Sequence, residues 1–356
     1  MKNLPDFPWD RLEPYKDRAA AHPDGIVDLS IGTPVDPVPP LVRQALAGAA
    51  DSPGYPYTHG TKELREAAAG WLARRHGVHV GQADVLPLIG SKEFVGWLPT
   101  YLGARSVVFP ELAYPTYDVG ARLAGAEARP ADGLLALGPE HVDLVWVNSP
   151  GNPTGRVLPA EHLRKVVSWA RERGTIVASD ECYIGLGWEE EPVSVLHPDV
   201  CGGSHEGLLA VHSLSKRSNL AGYRAGFVTG DPVLVKRLLE IRKHAGMLMP
   251  APVQAAMRAA LDDDAHADAQ RELYAARRAL LRPALEAAGW RVDHSTAGLY
   301  LWASNGESSW DQVQRLAETG ILVAPGEFYG AAGGRHIRVA ITATDERISA
   351  AVRRLQ

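Results

Sequence analysis

Residues 213–226 read Ser-Leu-Ser-Lys-Arg-Ser-Asn-Leu-Ala-Gly-Tyr-Arg-Ala-Gly, and they concentrate reactive side chains more than any other part of the chain. Lys216 follows a short apolar run, 208–211, that reads as a strand. Ser213 and Ser215 precede the lysine, and Arg224 opens a second apolar run. An amine beside hydroxyls and a guanidinium suits a site that binds a phosphorylated aldehyde covalently. The amine forms an imine while serine and arginine hold the phosphate. Taken alone, the segment fits several lysine chemistries.

In open α/β sheets ligands bind beyond the carboxyl ends of the strands, so candidates are sought just after other apolar runs. Gly90-Ser91-Lys92 follows the run 85–89 and opens a helix, whose first N–H groups make an anion site. An ordinary helix cap at Ser91 is the plainer alternative. Asn148-Ser-Pro-Gly-Asn-Pro-Thr-Gly155 makes a rigid turn, and Asn152 before Pro153 is held extended with its amide able to face a ligand. Asp180 ends another apolar run. A buried acid is costly unless paired, so Asp180 calls for a cation or a strong donor such as a pyridinium N–H, or else it is a helix N-cap. Arg338, in an alternating strand, offers a bidentate clamp for a carboxylate or, more simply, a surface salt bridge. The acidic run 189–191 reads as a solvated loop, and His59, His76 and His244 show no partner pattern.

The elements that must position these residues follow from the hydrophobic pattern. Apolar runs at 85–89, 106–109, 144–147, 175–178, 208–211 and 225–228 alternate with helical stretches, among them 61–76. Most runs are apolar without alternation, as strands buried on both faces are, which predicts an α/β domain with a largely parallel sheet. Residues 232–288 read as almost wholly helical, with a break near 249–252. Beyond them, strands near Tyr300 and Ile337 and two helices predict a smaller α+β domain joined by the N-terminal segment. The expected division is 36–250 for the large domain, and 1–35 with 251–356 for the small one.

Composition narrows the class. The 356 residues are 46% hydrophobic and 22% charged, an ordinary globular balance, and 37 basic against 42 acidic residues give a net charge of −5. Such a balance argues against a nucleic-acid partner. No apolar stretch is long enough to span a membrane, and residues 1–10 lack the apolar core of a signal peptide, so a cytoplasmic protein is expected. Cys182 and Cys201 alone give neither a zinc motif nor a disulfide framework, and no metal site is expected. The dinucleotide-binding glycine motif, the Walker loop, the zinc-protease motif and the nucleophile elbow are all absent; 202–206 misses the last because it ends in Glu206.

The ordered set resembles the class I and II aminotransferases, pyridoxal 5'-phosphate enzymes of fold type I, over about 28–354. It comprises a glycine-capped helix start, Asn-Pro-Thr-Gly, Asp-x-x-Tyr, Ser-x-x-Lys, the following Arg224 and a distal arginine. The resemblance implies Lys216 as the Schiff-base lysine and proton carrier, Asp180 as partner of the pyridine nitrogen, and Asn152 and Tyr183 at the phenolic oxygen. It implies Ser91, Lys92 (through backbone N–H groups), Ser213 and Arg224 as the phosphate cup, and Tyr114 stacked on the ring. Tyr55 would reach the phosphate of a neighbouring subunit, which implies a homodimer. Arg338 would clamp the α-carboxylate, with Gly32 at the same substrate edge. Tyr223 departs from the commoner aspartate-aminotransferase pattern, which has tryptophan before the phosphate arginine, and the departure leaves the chemistry intact.

Phe7-Pro-Trp-Asp10, Gly32-Thr-Pro-Val-Asp-Pro-Val-Pro39 and 215–224 are similar to the actinobacterial N-succinyldiaminopimelate aminotransferases of lysine biosynthesis. That likeness implies N-succinyl-LL-2,6-diaminopimelate as amino donor and 2-oxoglutarate as acceptor, with ping-pong kinetics. Aspartate, alanine or LL-diaminopimelate transamination and a carbon–sulfur β-lyase are rival readings. A non-catalytic sensor domain fused to a DNA-binding module ranks last, because the motif region starts near Asp28.

Overall fold

The computed structural model describes residues 4–133, 138 and 140–356. In chain order the α-helices are α1 (Glu13–Ala20), α2 (Pro40–Gly48), α3 (Lys62–His76), α4 (Ser91–Leu102), α5 (Thr116–Ala124), α6 (Ala160–Arg173), α7 (Pro198–Cys201), α8 (Leu214–Arg217), α9 (Pro232–Ala245), α10 (Ala251–Asp262), α11 (Ala265–Ala287), α12 (Ser309–Glu318) and α13 (Asp345–Leu355). The strands are β1 (Val27–Asp28), β2 (Val85–Ile89), β3 (Ser106–Phe109), β4 (Glu127–Pro130), β5 (Leu144–Asn148), β6 (Ile176–Asp180), β7 (Leu208–Ser213), β8 (Ala225–Gly230), β9 (Arg291–Asp293), β10 (Tyr300–Ser304), β11 (Ile321–Leu322), β12 (Ala324–Pro325) and β13 (Ile337–Ala340).

Seven strands form one mixed sheet in the order β2-β8-β7-β6-β5-β3-β4. Strand β8 runs antiparallel to both of its neighbours, while β4, β3, β5, β6 and β7 pair in parallel. The unalternating runs have their physical cause here: β3, β5, β7 and β8 are buried at every position because helices cover both faces. Two apolar clusters sandwich the sheet. One gathers α3, α6 and α10, with Leu64, Leu72, Val166 and Met257; the other gathers α4, α5 and α9, with Phe94, Leu98, Tyr117 and Leu238. Caps delimit the helices as their chemistry dictates. Thr61 accepts from the Leu64 N–H at the start of α3, and Asp231 accepts from those of Val233 and Leu234 at the start of α9.

A four-stranded antiparallel sheet, β12-β13-β10-β9, and the parallel pair β1–β11 make a separate apolar cluster with α11, α12 and α13. Strand β1 therefore ties the N-terminal segment to this second unit, and the Ala340 N–H donates to the Leu29 carbonyl at 2.8 Å. The expected division at 250 falls just before α10, yet α10 buries Met257, Ala260 and Leu261 in the cluster of α3. We therefore propose that the boundary lies beyond α10, near Asp263.

Candidate active site

Parallel register brings three strand ends together. Asn148 pairs with Asp180 across β5 and β6, and Asp180 pairs with Val211 on β7, just before Ser213. The reversal of β8 adds a fourth contribution. Ser213 lies opposite Gly226 and Ile89 opposite Ala225, so Arg224 emerges beside the start of α4. A cavity of about 320 Å3 opens at this edge, lined among others by Gly32, Ser91, Lys92, Tyr114, Asn152, Asp180, Tyr183, Ser213, Lys216, Arg224 and Arg338. Residues distant in sequence thus meet because of strand order.

Lys216 rides on the single turn α8, which Ser213 starts by accepting from the Ser215 N–H at 3.1 Å. Its Nζ donates to the carbonyl oxygen of Gly32. Burial pushes this amine below its ordinary value, and Arg338 and Arg224 work in the same direction against Tyr300 and Cys182. The shift favours the neutral, proton-accepting form relative to an ordinary lysine. Glycine is needed at position 32 for the packing of Tyr300, because a Cβ there would collide with the Tyr300 hydroxyl and ring.

Asp180 is buried, and among the described residues no cation pairs with it. Its carboxylate accepts from the Tyr117 hydroxyl at 2.8 Å and from the Cys182 N–H at 3.2 Å. Burial raises its pKa, and those donors offset the shift only in part. Asp180 caps no helix; it ends β6 facing the cavity. Asn148 braces the turn behind it, donating to the Asp180 carbonyl at 2.9 Å and accepting from the Asn152 N–H at 2.8 Å.

At the opposite wall, α4 begins after Gly90, which takes φ +74. Gly90, not Ser91, is the N-cap, which leaves the first N–H groups of α4 directed at the cavity edge. A Cβ on Gly90 would overlap the Arg224 guanidinium, so glycine is needed for space as well as for its backbone angle. Arg224 has φ +56 and donates to the Ala221 carbonyl at 2.9 Å.

Arg338 departs from the surface salt-bridge alternative. It is only 2% exposed, and no carboxylate pairs with it among the described residues. Its guanidinium donates to Asn152 Oδ1 at 3.0 Å and to the Ser30 carbonyl at 2.6 Å, while Nε has no partner. The ring centroids of Tyr300 and Tyr329 lie 4.0 and 4.9 Å from its Cζ. Burial alone would lower its pKa, but the surrounding tyrosines outweigh burial and hold it above its ordinary value. A buried guanidinium that lines the cavity without a carboxylate partner among the described residues suits a planar anion.

Tyr183 reaches this end too, with its hydroxyl 3.2 Å from that of Tyr300. Burial pushes the Tyr183 phenol well above its ordinary value, so it stays protonated. Tyr114 lines the cavity mouth beside Lys92. Tyr55, by contrast, is 97% exposed and does not line its own chain's cavity.

Three residues went unrecognised in the sequence: Tyr117, Tyr300 and Cys182. The Cys182 Sγ lies 3.2 Å from Ser91 Oγ, and burial raises its thiol far above the ordinary value. Its place in Asp-x-x-Tyr was a usable signal, whereas Tyr117 and Tyr300 sit in apolar stretches that mark nothing. The acidic run is an exposed loop, in which Glu189 also pairs with Arg278 at 2.6 Å and Arg282 at 3.2 Å.

The donor set fits a phosphorylated pyridine aldehyde. Asp180 lacks a cation among the described residues, burial lowers the pKa of the Lys216 amine, and the start of α4, Ser213 and Arg224 line the same cavity with groups able to donate to a phosphate. Comparison with known proteins agrees. The family model for aminotransferase class I and II matches residues 24–355. The chain is 62% identical to a 4-dedimethylamino-4-oxo-anhydrotetracycline transaminase of Streptomyces rimosus, covering 100% of each. It is 65% identical to a probable aminotransferase of Mycobacterium tuberculosis, covering 99% of this chain and 85% of that one. Among solved structures, a probable N-succinyldiaminopimelate aminotransferase from Thermus thermophilus superposes with a TM-score of 0.88 at 29% identity, over 98% of this chain and 99% of that one.

Proposed function

We propose a substrate class on the premise that this chain belongs to the class I and II aminotransferases, which use pyridoxal 5'-phosphate to move an amino group from an amino acid to a 2-oxo acid. The donor is long and carries a distal acid; N-succinyl-LL-2,6-diaminopimelate fits best, with 2-oxoglutarate as acceptor. One observation carries this reading. Past Tyr114 the cavity adjoins a second hollow of about 1100 Å3, and Lys92 Nζ stands where both are lined, 5.6 Å from the ring centroids of Phe7 and Tyr114. Among the described residues no carboxylate pairs with Lys92. Aspartate or alanine would leave both the hollow and this cation unused.

When bound, the cofactor supplies the electron sink that acidifies the donor's Cα–H. In the proposed roles, Asp180 holds a proton on the pyridine nitrogen, the α4 N–H groups, Ser213 and Arg224 bind the phosphate, and Asn152 and Tyr183 donate at the phenolic oxygen. Lys216 Nζ takes up and releases the substrate proton. Arg338 fixes the α-carboxylate. Arg338→Lys is expected to lower kcat/KM for donor and acceptor alike by about 10- to 100-fold, the worth of a lost charged hydrogen bond. Unchanged values for both would remove Arg338 from that role.

The Streptomyces rimosus relative motivates a second reading, because the aromatic walls at Phe7, Trp9 and Trp97 also suit a flat polycyclic ketone. A panel of amino donors against 2-oxoglutarate, with glutamate release as readout, tests the first. N-succinyl-LL-2,6-diaminopimelate should exceed aspartate, alanine and LL-diaminopimelate by about tenfold or more in kcat/KM. A poor showing beside any of them rejects the succinylated donor. A tetracycline-type ketone with glutamate as donor reads the alternative.

Tyr55 supports a homodimer in the proposed function. It stands beside exposed Tyr57 between α2 and α3, available to a neighbouring subunit. Among the described residues, no helix is long and apolar enough to cross a membrane.

A further inference from the structure

Ser218, His266 and Asp263 form a chain of hydrogen bonds with the order of a nucleophilic triad. Asp263 Oδ2 lies 2.6 Å from His266 Nδ1, and His266 Nε2 lies 2.8 Å from Ser218 Oγ. Asp263 also accepts the His266 N–H at 3.0 Å. With Nδ1–H committed to the carboxylate, Nε2 is the acceptor and Ser218 Oγ–H the donor. A nucleophile must be reachable, and Ser218 is fully buried, with a relative exposure of 0%. The arrangement therefore holds something in place.

What it holds is the turn that carries Lys216. Ser218 is the C-cap of α8, and Asn219 follows in the left-handed region at φ +55, a conformation that costs energy outside glycine unless neighbours fix it. His266, Gln270 and Tyr274 recur every fourth residue along α11 and so share one face. Each touches this turn. His266 takes Ser218, Gln270 Oε1 accepts from Asn219 Nδ2 at 2.7 Å, and the Tyr274 hydroxyl lies 3.4 Å from both the Lys216 carbonyl and Asn219 Oδ1. The far side of the stripe is anchored as well. Gln270 donates to Asp36 at 2.8 Å, and Arg277 makes a bidentate pair with Asp36 at 2.6 and 2.7 Å. Asp36 belongs to the loop that follows Gly32, whose carbonyl Lys216 meets. One helix face thus braces both ends of the lysine's surroundings.

We propose that His266, Gln270 and Tyr274 are positioning residues for the proton-carrying amine, with Asp263 orienting His266. They touch no reacting atom; they fix the backbone from which Lys216 Nζ reaches the donor carbon. Displacements of about an ångström in such a group cost up to about 100-fold in rate. Loss of a single clamp is smaller, about tenfold. The inference rests on Lys216 as proton carrier.

Two readouts test it. In the cofactor-free protein, His266→Ala should speed amide hydrogen exchange across 214–220 by about five- to tenfold, the effect of one lost hydrogen bond, with distant segments unchanged. In the holoenzyme the variant should lose about tenfold in kcat with little change in KM, and the isotope effect with an α-deuterated donor should rise because proton transfer has slowed. His266→Gln, which keeps an acceptor facing Ser218, should recover most of both. If His266→Ala fails to fold, Ser218→Ala removes only the buried hydroxyl and reads the same quantities. Unchanged exchange in 214–220, or an unchanged isotope effect, overturns the proposal. If the lysine assignment itself were wrong, Lys216→Ala would keep its turnover; if only the clamp were wrong, Lys216→Ala would be inactive and His266→Ala normal.

Discussion

Lys216→Ala is expected to give a folded protein that has lost the visible absorption of the lysine-linked cofactor and about 10⁴-fold or more of its transamination rate. The fold should persist because α8 is held by Ser213, Ser218 and Asn219, none of which needs the amine. The cofactor should still bind, since the helix start, Ser213 and Arg224 are untouched. What disappears is the amine, its pKa lowered by burial, to which bond exchange with the donor and carriage of the substrate proton are assigned. Spectra and glutamate release on the purified variant decide the matter; retained turnover would sink the assignment.

Asp180→Asn is expected to move activity and cofactor-free stability in opposite directions. The variant loses the anion that keeps the pyridine nitrogen protonated, and kcat should fall about 10³-fold, the scale of removing one preorganised electrostatic contact. The cofactor-free protein should gain stability at neutral pH. Burial raises the Asp180 pKa in the folded protein above its unfolded value, so its contribution to stability is fully present below the unfolded value. That contribution is lost as pH rises through the raised folded value. Above that window the ionised carboxylate is a cost, relieved in part by Tyr117 and Cys182, and asparagine does not bear it. Thermal melts of the cofactor-free proteins from acid to neutral pH should therefore diverge, with Asp180→Asn the more stable toward neutral. Adding the cofactor should raise the wild-type melting temperature more than that of the variant. Parallel melting curves would show that Asp180 carries no such penalty.

The large sheet was readable because its strands are buried on both faces, which leaves an unbroken apolar signature. The residues at their ends were readable because charged and hydroxyl groups interrupt that signature: Asp180 after 175–178, Lys216 after 208–211. Arg338 was legible, but not its burial, because solvent exposure depends on Tyr300 arriving from β10 and Tyr329 from the 3-10 turn Gly326–Tyr329. Tyr117 went unrecognised for a related reason: on α5 it looks like one more core aromatic, and only the fold shows its hydroxyl reaching Asp180. The clamp on Ser218 also escaped notice. His266 and Ser218 are separated by β8, α9 and α10, and no local pattern links them. The helical stretch 232–288 was legible as helix, but its division among packing partners depends on which cluster receives Met257.

The reversed strand β8 has a consequence for how the protein is made. It is inserted between β2 and β7, so the anion cup draws one part from each of three strands brought together by that insertion. During synthesis the Ser91 end of the cup emerges early, but it stays incomplete until the chain has passed Gly230 and β8 has found its slot. A register slip of one residue there would carry Arg224 to the wrong side of the sheet. A complete cup would therefore depend on correct threading of β8. A cofactor that bound only the completed cup would stabilise the correctly paired sheet by mass action.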